Sequence, residues 1–133
     1  AIRDEFTSQQ YIPLEYPAVA HLDVTLALRQ AARNRGLPHH VGITQSKDSY
    51  YGQHEPDRMP VAGQLQERWL AWVKGGALSS EMEASTIFVV SSILRCRAGG
   101  IMLAGGTHND LSSLLETSVS AIEILIAQDG PRE

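Results

Sequence analysis

The stretch HHVGITQS, His39 to Ser46, is short, rich in β-branched residues and held between Pro38 and a polar run, which reads as a buried β-strand. Upstream, AVAHLDVTLALRQAARNRG from Ala18 to Gly36 sets Val19, Leu22, Leu26 and Ala31 near one face at helical spacing, and Gly36 and Pro38 end it. Downstream, KDSYYGQHEPDRMP from Lys47 to Pro60 has much hydrogen-bonding capacity and little apolar periodicity, the pattern of an elaborated loop. From Gly63 to Lys74, Leu65, Trp69, Trp72 and Val73 recur at helical spacing before Gly75 and Gly76. Glu83 to Arg95 reads as a further helix, GGIMLAGG (Gly99 to Gly106) as a second buried strand, and Leu111 to Ile126 as a last helix with Leu115, Val119, Ile122 and Ile126 on one stripe. Helices alternating with short apolar strands predict an α/β domain with a largely parallel sheet. Ligands of such sheets collect outside the carboxyl ends of the strands, so the loops after Ser46 and Gly106 are where a site is expected.

The chain has 133 residues, the size of one ordinary domain, and residues 1–133 are expected to form a single one. Eleven Lys and Arg against 15 Asp and Glu give a net charge of -4, which supplies no basic footprint for nucleic acid or an anionic membrane. The longest apolar run, IFVVSSIL (Ile87 to Leu94), is far shorter than the ~18 residues of a membrane span. The lone Cys96 has no internal partner for a disulfide and fits a reducing cytoplasm. AIRDEFTS at the amino terminus has no initiating methionine and no basic-then-apolar leader, and reads as the interior of a longer polypeptide.

Two short stretches carry candidate chemistry. In LSSEMEAS (Leu78 to Ser85), Ser80 and Glu83 have the spacing of a capping box, each satisfying a backbone donor of the other. A carboxylate also accepts from two adjacent hydroxyls, as on a ribose; in an extended segment Glu81 and Glu83 share one face and Met82 takes the other. Spacing leaves both readings open. In YYGQHEPDR (Tyr50, Gln53, Arg58) an aromatic, an amide and a guanidinium share one loop: a solvated turn, or a site in which the glutamine meets an imide edge such as that of uracil and the arginine donates to a carbonyl. Trp69 and Trp72 read as core anchors. His39 and His40 point to opposite faces of the strand and His54 has only Glu55 and Asp57 near it, so no metal site is expected. The sequence holds no nucleophile elbow, Walker loop or dinucleotide fingerprint.

Taken together and in this order, SKDSYYGQHEPDRMPV followed after an amphipathic helix by LSSEMEAS resembles the bacterial uridine phosphorylases of the nucleoside phosphorylase superfamily. The resemblance covers most of the chain, with AIRDEFTSQQYIPLEYPAVA similar to the family's middle segment, HHVGITQSKDSYYGQ to its base-binding strand and loop, and SEMEAS to its ribose-binding motif. It implies part of a three-layer α/β/α fold with a mixed central sheet, here the carboxy-terminal portion. It also implies reversible phosphorolysis: phosphate attacks the ribose anomeric carbon of uridine, releasing uracil and ribose 1-phosphate with no covalent enzyme intermediate. By resemblance Gln53 reads the uracil edge, Tyr50 lies against the nucleoside, Glu83 grips the ribose hydroxyls with Met82 beside it, and Glu81 is its companion. No cofactor is implied beyond phosphate as co-substrate, whose ligands belong to the family's amino-terminal part. The family's assembly is a homo-oligomer, dimers gathered into a hexamer, in the cytoplasm.

The chain departs from the family at three places. Many members carry an arginine two residues after the glutamine; here that residue is Glu55, and Arg58 is the nearest arginine to donate to a uracil carbonyl. LAGGTHND (Leu103 to Asp110) lacks the branched apolar pattern usual at the pocket wall. The amino-terminal phosphate ligands are not in these residues, so no catalytic residue is assigned and the 133 residues alone are expected not to catalyse phosphorolysis. The other readings are a nucleosidase of the same superfamily, a noncatalytic nucleoside-binding homologue, and a structural α/β domain.

Overall fold

Strand β2, Ile43–Lys47, is the middle of a three-stranded sheet of order β1-β2-β3 in the computed structural model, which describes residues 1–104 and 111–130. Both pairings are parallel: β1 (Ile2–Asp4) sets Ile2 opposite Gln45 and Asp4 opposite Lys47, and β3 (Ala77–Glu81) sets Ser80 opposite Gln45 and Glu81 opposite Ser46. The helices are α1 (Leu22–Asn34), α2 (Tyr50–His54), α3 (Ala62–Lys74), α4 (Ala84–Ile93) and α5 (Leu111–Asp129), with 3-10 turns at Ser8–Gln10 and Pro56–Arg58.

The chain divides into two compact units. The first, Ala1–Val19 with Gly42–Cys96, contains the whole sheet. Successive side chains of β2 alternate between its faces. Ser46 turns to α4, where its Oγ accepts from the Ser85 amide at 2.8 Å, whereas Gln45 turns to the opposite face and meets Asp4, whose carboxylate also receives Trp72 of α3. The unit is thus locally helix, sheet, helix. Its interior combines Ala84, Phe88 and Val89 with a buried polar knot, in which Glu5 accepts from the Ser8 amide at 2.7 Å, from the Ser8 hydroxyl and from the Ser85 hydroxyl at 2.6 Å. Burial opposes the Glu5 charge, yet the hydroxyls of Ser8 and Ser85, the Ser8 amide and Arg3 hold its carboxyl below the ordinary value. Arg3 itself donates to the carbonyls of Ile12, Pro13, Leu14 and Tyr16 and so shapes the segment after β1.

The second unit, Ala20–Val41 with Arg97–Glu133, pairs α1 with α5 around Ala27, Ala31 and Ala121, flanked by Leu28, Ile124 and Leu125. Small residues at the contact let the helix axes approach closely. Helix α1 ends at Gly36, whose φ of 65° permits the Leu37 amide to close onto Ala32 O at 3.0 Å.

Several sequence expectations are corrected. Lys47 to Pro60 is not an irregular loop: Ser49 Oγ accepts from the Gly52 amide at 2.9 Å and starts α2. The capping box does not form, because Ser80 lies in the β3 ladder and α4 starts after Glu83 with no side-chain cap from that residue. The segment from Gly99 to Ala104 forms no strand, and the remainder of that predicted element, residues 105 and 106, lies outside the described residues. The stripe Leu115, Val119, Ile122 and Ile126 is exposed, while Thr117 and Ala121 are the buried residues of α5. At 19 residues, with mean hydropathy 1.2 over an 18-residue window, α5 is long and apolar enough to cross a membrane by length and composition, a property the apolar-run argument missed. Trp69 and Trp72 are half-buried, so neither is a fully enclosed core anchor.

Candidate functional site

The carboxyl ends of β2 and β3 lie side by side in parallel, which gathers Lys47, Ser80 and Glu81 at one edge of the sheet. Serine 49, capping α2, folds the next turn back so that Gln53 reaches the same edge. Lys47 Nζ donates to Ser80 Oγ at 2.8 Å, and Ser80 Oγ donates to Gln53 Oε1 at 2.8 Å. A lysine only donates, so the chain runs in one direction from ammonium to amide. Lys47 is 6% exposed. Burial pushes its ammonium below the ordinary lysine range, and the carboxylates of Glu81 and Glu83 pull it back upward without cancelling that loss.

Lys47 and Gln53 line an open groove of about 420 Å³ together with Asp4, Gln45, Arg68 and Trp69. One wall is therefore the face of β2 that carries Gln45 and Lys47, and the other is α3. Asp4 ties the two walls, accepting from Gln45 Nε2 at 2.5 Å, from Trp72 Nε1 at 3.4 Å and from Arg68.

The two glutamates have different surroundings. Glu81 Oε2 accepts from the amides of Glu83 and Ala84, each at 2.6 Å, and its Oε1 accepts from Ser46 Oγ. A carboxylate on the first amides of α4 is favoured both by the unpaired N–H groups and by the helix dipole. Glu81 thus performs the helix-start role that the sequence suggested for Ser80 and Glu83. Glu83 is exposed and accepts from the Met82 amide at 3.2 Å, and Met82 is exposed beside it.

Gln53 is linked to Lys47 through Ser80, and the charges of Glu81 and Glu83 act on the Lys47 ammonium, although Glu81, Met82 and Glu83 do not line the groove. Tyr50 is 54% exposed and stacks on His54 at 4.2 Å, outside the residues that line the groove. Arg58 pairs with Glu55 at the surface and is likewise not a groove residue. Sequence reasoning did not single out Lys47, Asp4 or Gln45, and read Ser80 only as a helix cap. The one available signal was that Gln45 and Lys47, two apart in a strand, share a face at its carboxyl end. The pocket-wall segment falls, from residue 105 onward, outside the described residues. Among the described residues no group of three or more His, Cys, Asp and Glu is arranged to hold a metal ion.

The sequence profile of the phosphorylase superfamily matches residues 1–125. The chain belongs to the phosphorylase superfamily. Within it, the chain is 40% identical to a uridine phosphorylase of Treponema pallidum, an alignment that takes in 99% of this chain and 56% of that protein. It is 35% identical to a uridine phosphorylase of Thermococcus kodakarensis, over 100% of this chain and 51% of that one, and 31% identical to the Escherichia coli uridine phosphorylase, over 95% and 53%. The solved structure of the P. knowlesi homologue of P. falciparum PNP superposes with a TM-score of 0.70 at 25% identity, covering 92% of this chain and 48% of the other. This superfamily member therefore has the α/β fold of a nucleoside phosphorylase structure and spans about half the length of the relatives it matches.

Proposed function

We propose that this chain supplies the base- and ribose-binding half of a uridine phosphorylase site. The observation that carries the reading is the run from Lys47 through Ser80 to Gln53, set beside Glu81 and Glu83 at the carboxyl ends of two parallel strands. Its similarity to three uridine phosphorylases supports the choice of substrate class.

In this reading the Gln53 amide and the Lys47 ammonium meet the carbonyl oxygens of uracil. Glu83, an exposed carboxylate whose charge acts on Lys47, accepts from the ribose hydroxyls, with Met82 packed against the sugar and Tyr50 against the nucleoside. As phosphate attacks the anomeric carbon, the bond to N1 of uracil breaks and its electron pair passes into the base. A desolvated ammonium beside a carbonyl oxygen stabilises that developing charge more than a hydrated one would. We assign this cationic role to Lys47; Arg58, paired with Glu55, would have to leave that partner to share it. Glu81, whose two oxygens serve α4 and Ser46, positions Glu83 and does not bind substrate itself. The phosphate ligands come from polypeptide beyond these residues, in a cytoplasmic homo-oligomer.

Calorimetric titration tests the proposal. The parent chain is expected to bind uridine, and Glu83→Ala to weaken uridine about tenfold while leaving uracil nearly unchanged, because only the ribose loses its acceptor. Equal losses for uridine and uracil would refute the ribose role.

A further inference from the structure

The side chain of Glu83 is exposed, and the bond it makes, from the adjacent Met82 amide at 3.2 Å, stays within its own turn. Glu83 stands immediately before α4, so the start of that helix sets where its carboxylate can reach. Three groups anchor this start. Glu81 Oε2 takes the amides of Glu83 and Ala84, Ser46 Oγ takes the Ser85 amide at 2.8 Å, and Glu5 takes the Ser85 hydroxyl at 2.6 Å and the Thr86 hydroxyl at 3.5 Å. The anchors are joined, because Ser46 donates its own hydroxyl to Glu81 Oε1. A continuous run of bonds therefore leads from Glu5 through Ser85 and Ser46 to Glu81, and from Glu81 to the backbone of Glu83. Ser8, Ser46 and Ser85 are fully buried and Glu5 is 4% exposed, so water does not compete along this run.

A buried charge is a costly way to hold a helix, since well-packed apolar side chains of similar volume often stabilise as well or better. What a carboxylate adds is direction. Both oxygens of Glu5 are engaged, Oε1 by the hydroxyls of Ser8 and Ser85 and Oε2 by the Ser8 amide and the Thr86 hydroxyl. An acceptor occupied on both oxygens holds its donors to one geometry.

We infer that Glu5 is a positioning residue for ribose recognition: it fixes the first turn of α4 and, through Ser85, Ser46 and Glu81, the place from which Glu83 meets the sugar. The inference rests on the ribose reading of Glu83. Glu5 is not among the residues that line the groove and acts only through the network. With that network loosened, Glu83 would have to be ordered at the moment of binding, and the entropy lost would be taken from affinity for the sugar. The base contacts lie elsewhere, on β2, β3 and α2, and would not share the loss.

The test is calorimetric titration of the 133-residue chain with uridine and with uracil, for the parent, Glu5→Gln, Glu83→Ala and the double variant. Glu5→Gln keeps the shape of the side chain and replaces one accepting oxygen by a donor. It is expected to weaken uridine about fivefold and to leave uracil within about twofold. In the Glu83→Ala background the same substitution is expected to change uridine by less than about twofold, because the residue through which Glu5 acts is gone. A merely structural role lowers the folded fraction, which reduces uridine and uracil alike and adds in full to Glu83→Ala. Either of those results, or unchanged uridine binding in Glu5→Gln beside a uridine-selective loss in Glu83→Ala, overturns the role of Glu5 and leaves the ribose reading standing. If Glu5→Gln does not fold, the same cycle with Ser85→Ala decides, since it removes the hydroxyl that Glu5 receives and keeps the amide that Ser46 receives. Absence of a uridine-selective loss in Glu83→Ala overturns both readings.

Discussion

The Ser80 hydroxyl donates to Oε1 of Gln53 at 2.8 Å, and this bond commits the oxygen end of the glutamine amide to the protein. Because Lys47 donates to the same hydroxyl, one serine orients both groups assigned to the base. Ser80→Ala is expected to weaken uridine binding about tenfold while costing about 1 kcal/mol of stability. Titration and urea unfolding of the same sample check it. Wild-type affinity would show that Lys47 and Gln53 are positioned without the serine.

Glu81 and Glu83 should separate cleanly. Glu81→Ala removes the acceptor of two amides at the start of α4 and of the Ser46 hydroxyl, and is expected to destabilise the chain by about 2 kcal/mol. Glu83→Ala, at an exposed position, is expected to change stability by less than about 0.5 kcal/mol. Denaturant midpoints that rank the two variants the other way would contradict this division of labour.

The burial of Lys47 gives a pH signature. Its folded-state pKa lies below the ordinary lysine value, so the unfolded chain holds that proton more tightly. Between the lowered folded value and the unfolded one, stability from this group rises with pH, and below the folded value its cost is fully present. Lys47→Met is expected to abolish that alkaline rise in the urea midpoint. Over the same window uridine affinity in the parent should fall as the ammonium is lost.

Glu5 has the opposite sign. Its depressed pKa means that its stabilisation is present above the unfolded carboxyl value and disappears as pH falls through the folded one. Glu5→Gln should cost about 2 kcal/mol at neutral pH, by weakening the bonds from Ser8 and Ser85, and should flatten the acid limb of stability. An acid limb identical to the parent's would remove Glu5 from the account.

Much of this architecture was legible because local signals and tertiary packing agree. Helix α1 is one such case, since its Gly36 stop is required by the positive φ. Strand β3 was not legible: ALSSE has little apolar content, and its conformation comes from parallel pairing with β2, a partner over 30 residues away in sequence. That pairing is also why SEME misled. Ser80 is claimed by the ladder, so the carboxylate one residue later takes over the helix start. Exposed Leu115, Val119, Ile122 and Ile126 show the reverse limit, since a periodic stripe reveals which residues share a face and not whether that face is covered.

Backbone strain supplies a stability test independent of ligand. Arg95 has φ of 59° just after α4, where the Cys96 amide closes onto Ser91 O at 2.8 Å, a position that favours glycine. Arg95→Gly is expected to stabilise the chain by about 0.5–1 kcal/mol. A lower urea midpoint would mean that the arginine side chain contributes more than its backbone conformation costs.

The central claim, that Lys47, Gln53 and Glu83 form one nucleoside site, is tested most directly by following the 15N-resolved NMR spectrum of the chain during a uridine titration. The account predicts saturable shifts of the Gln53 side-chain amide and of the Lys47 and Glu83 backbone amides, all with one dissociation constant, while the α1 and α5 amides stay in place. Absence of shifts at those three residues, or shifts confined to the surface around Tyr50 and Arg58, would contradict it.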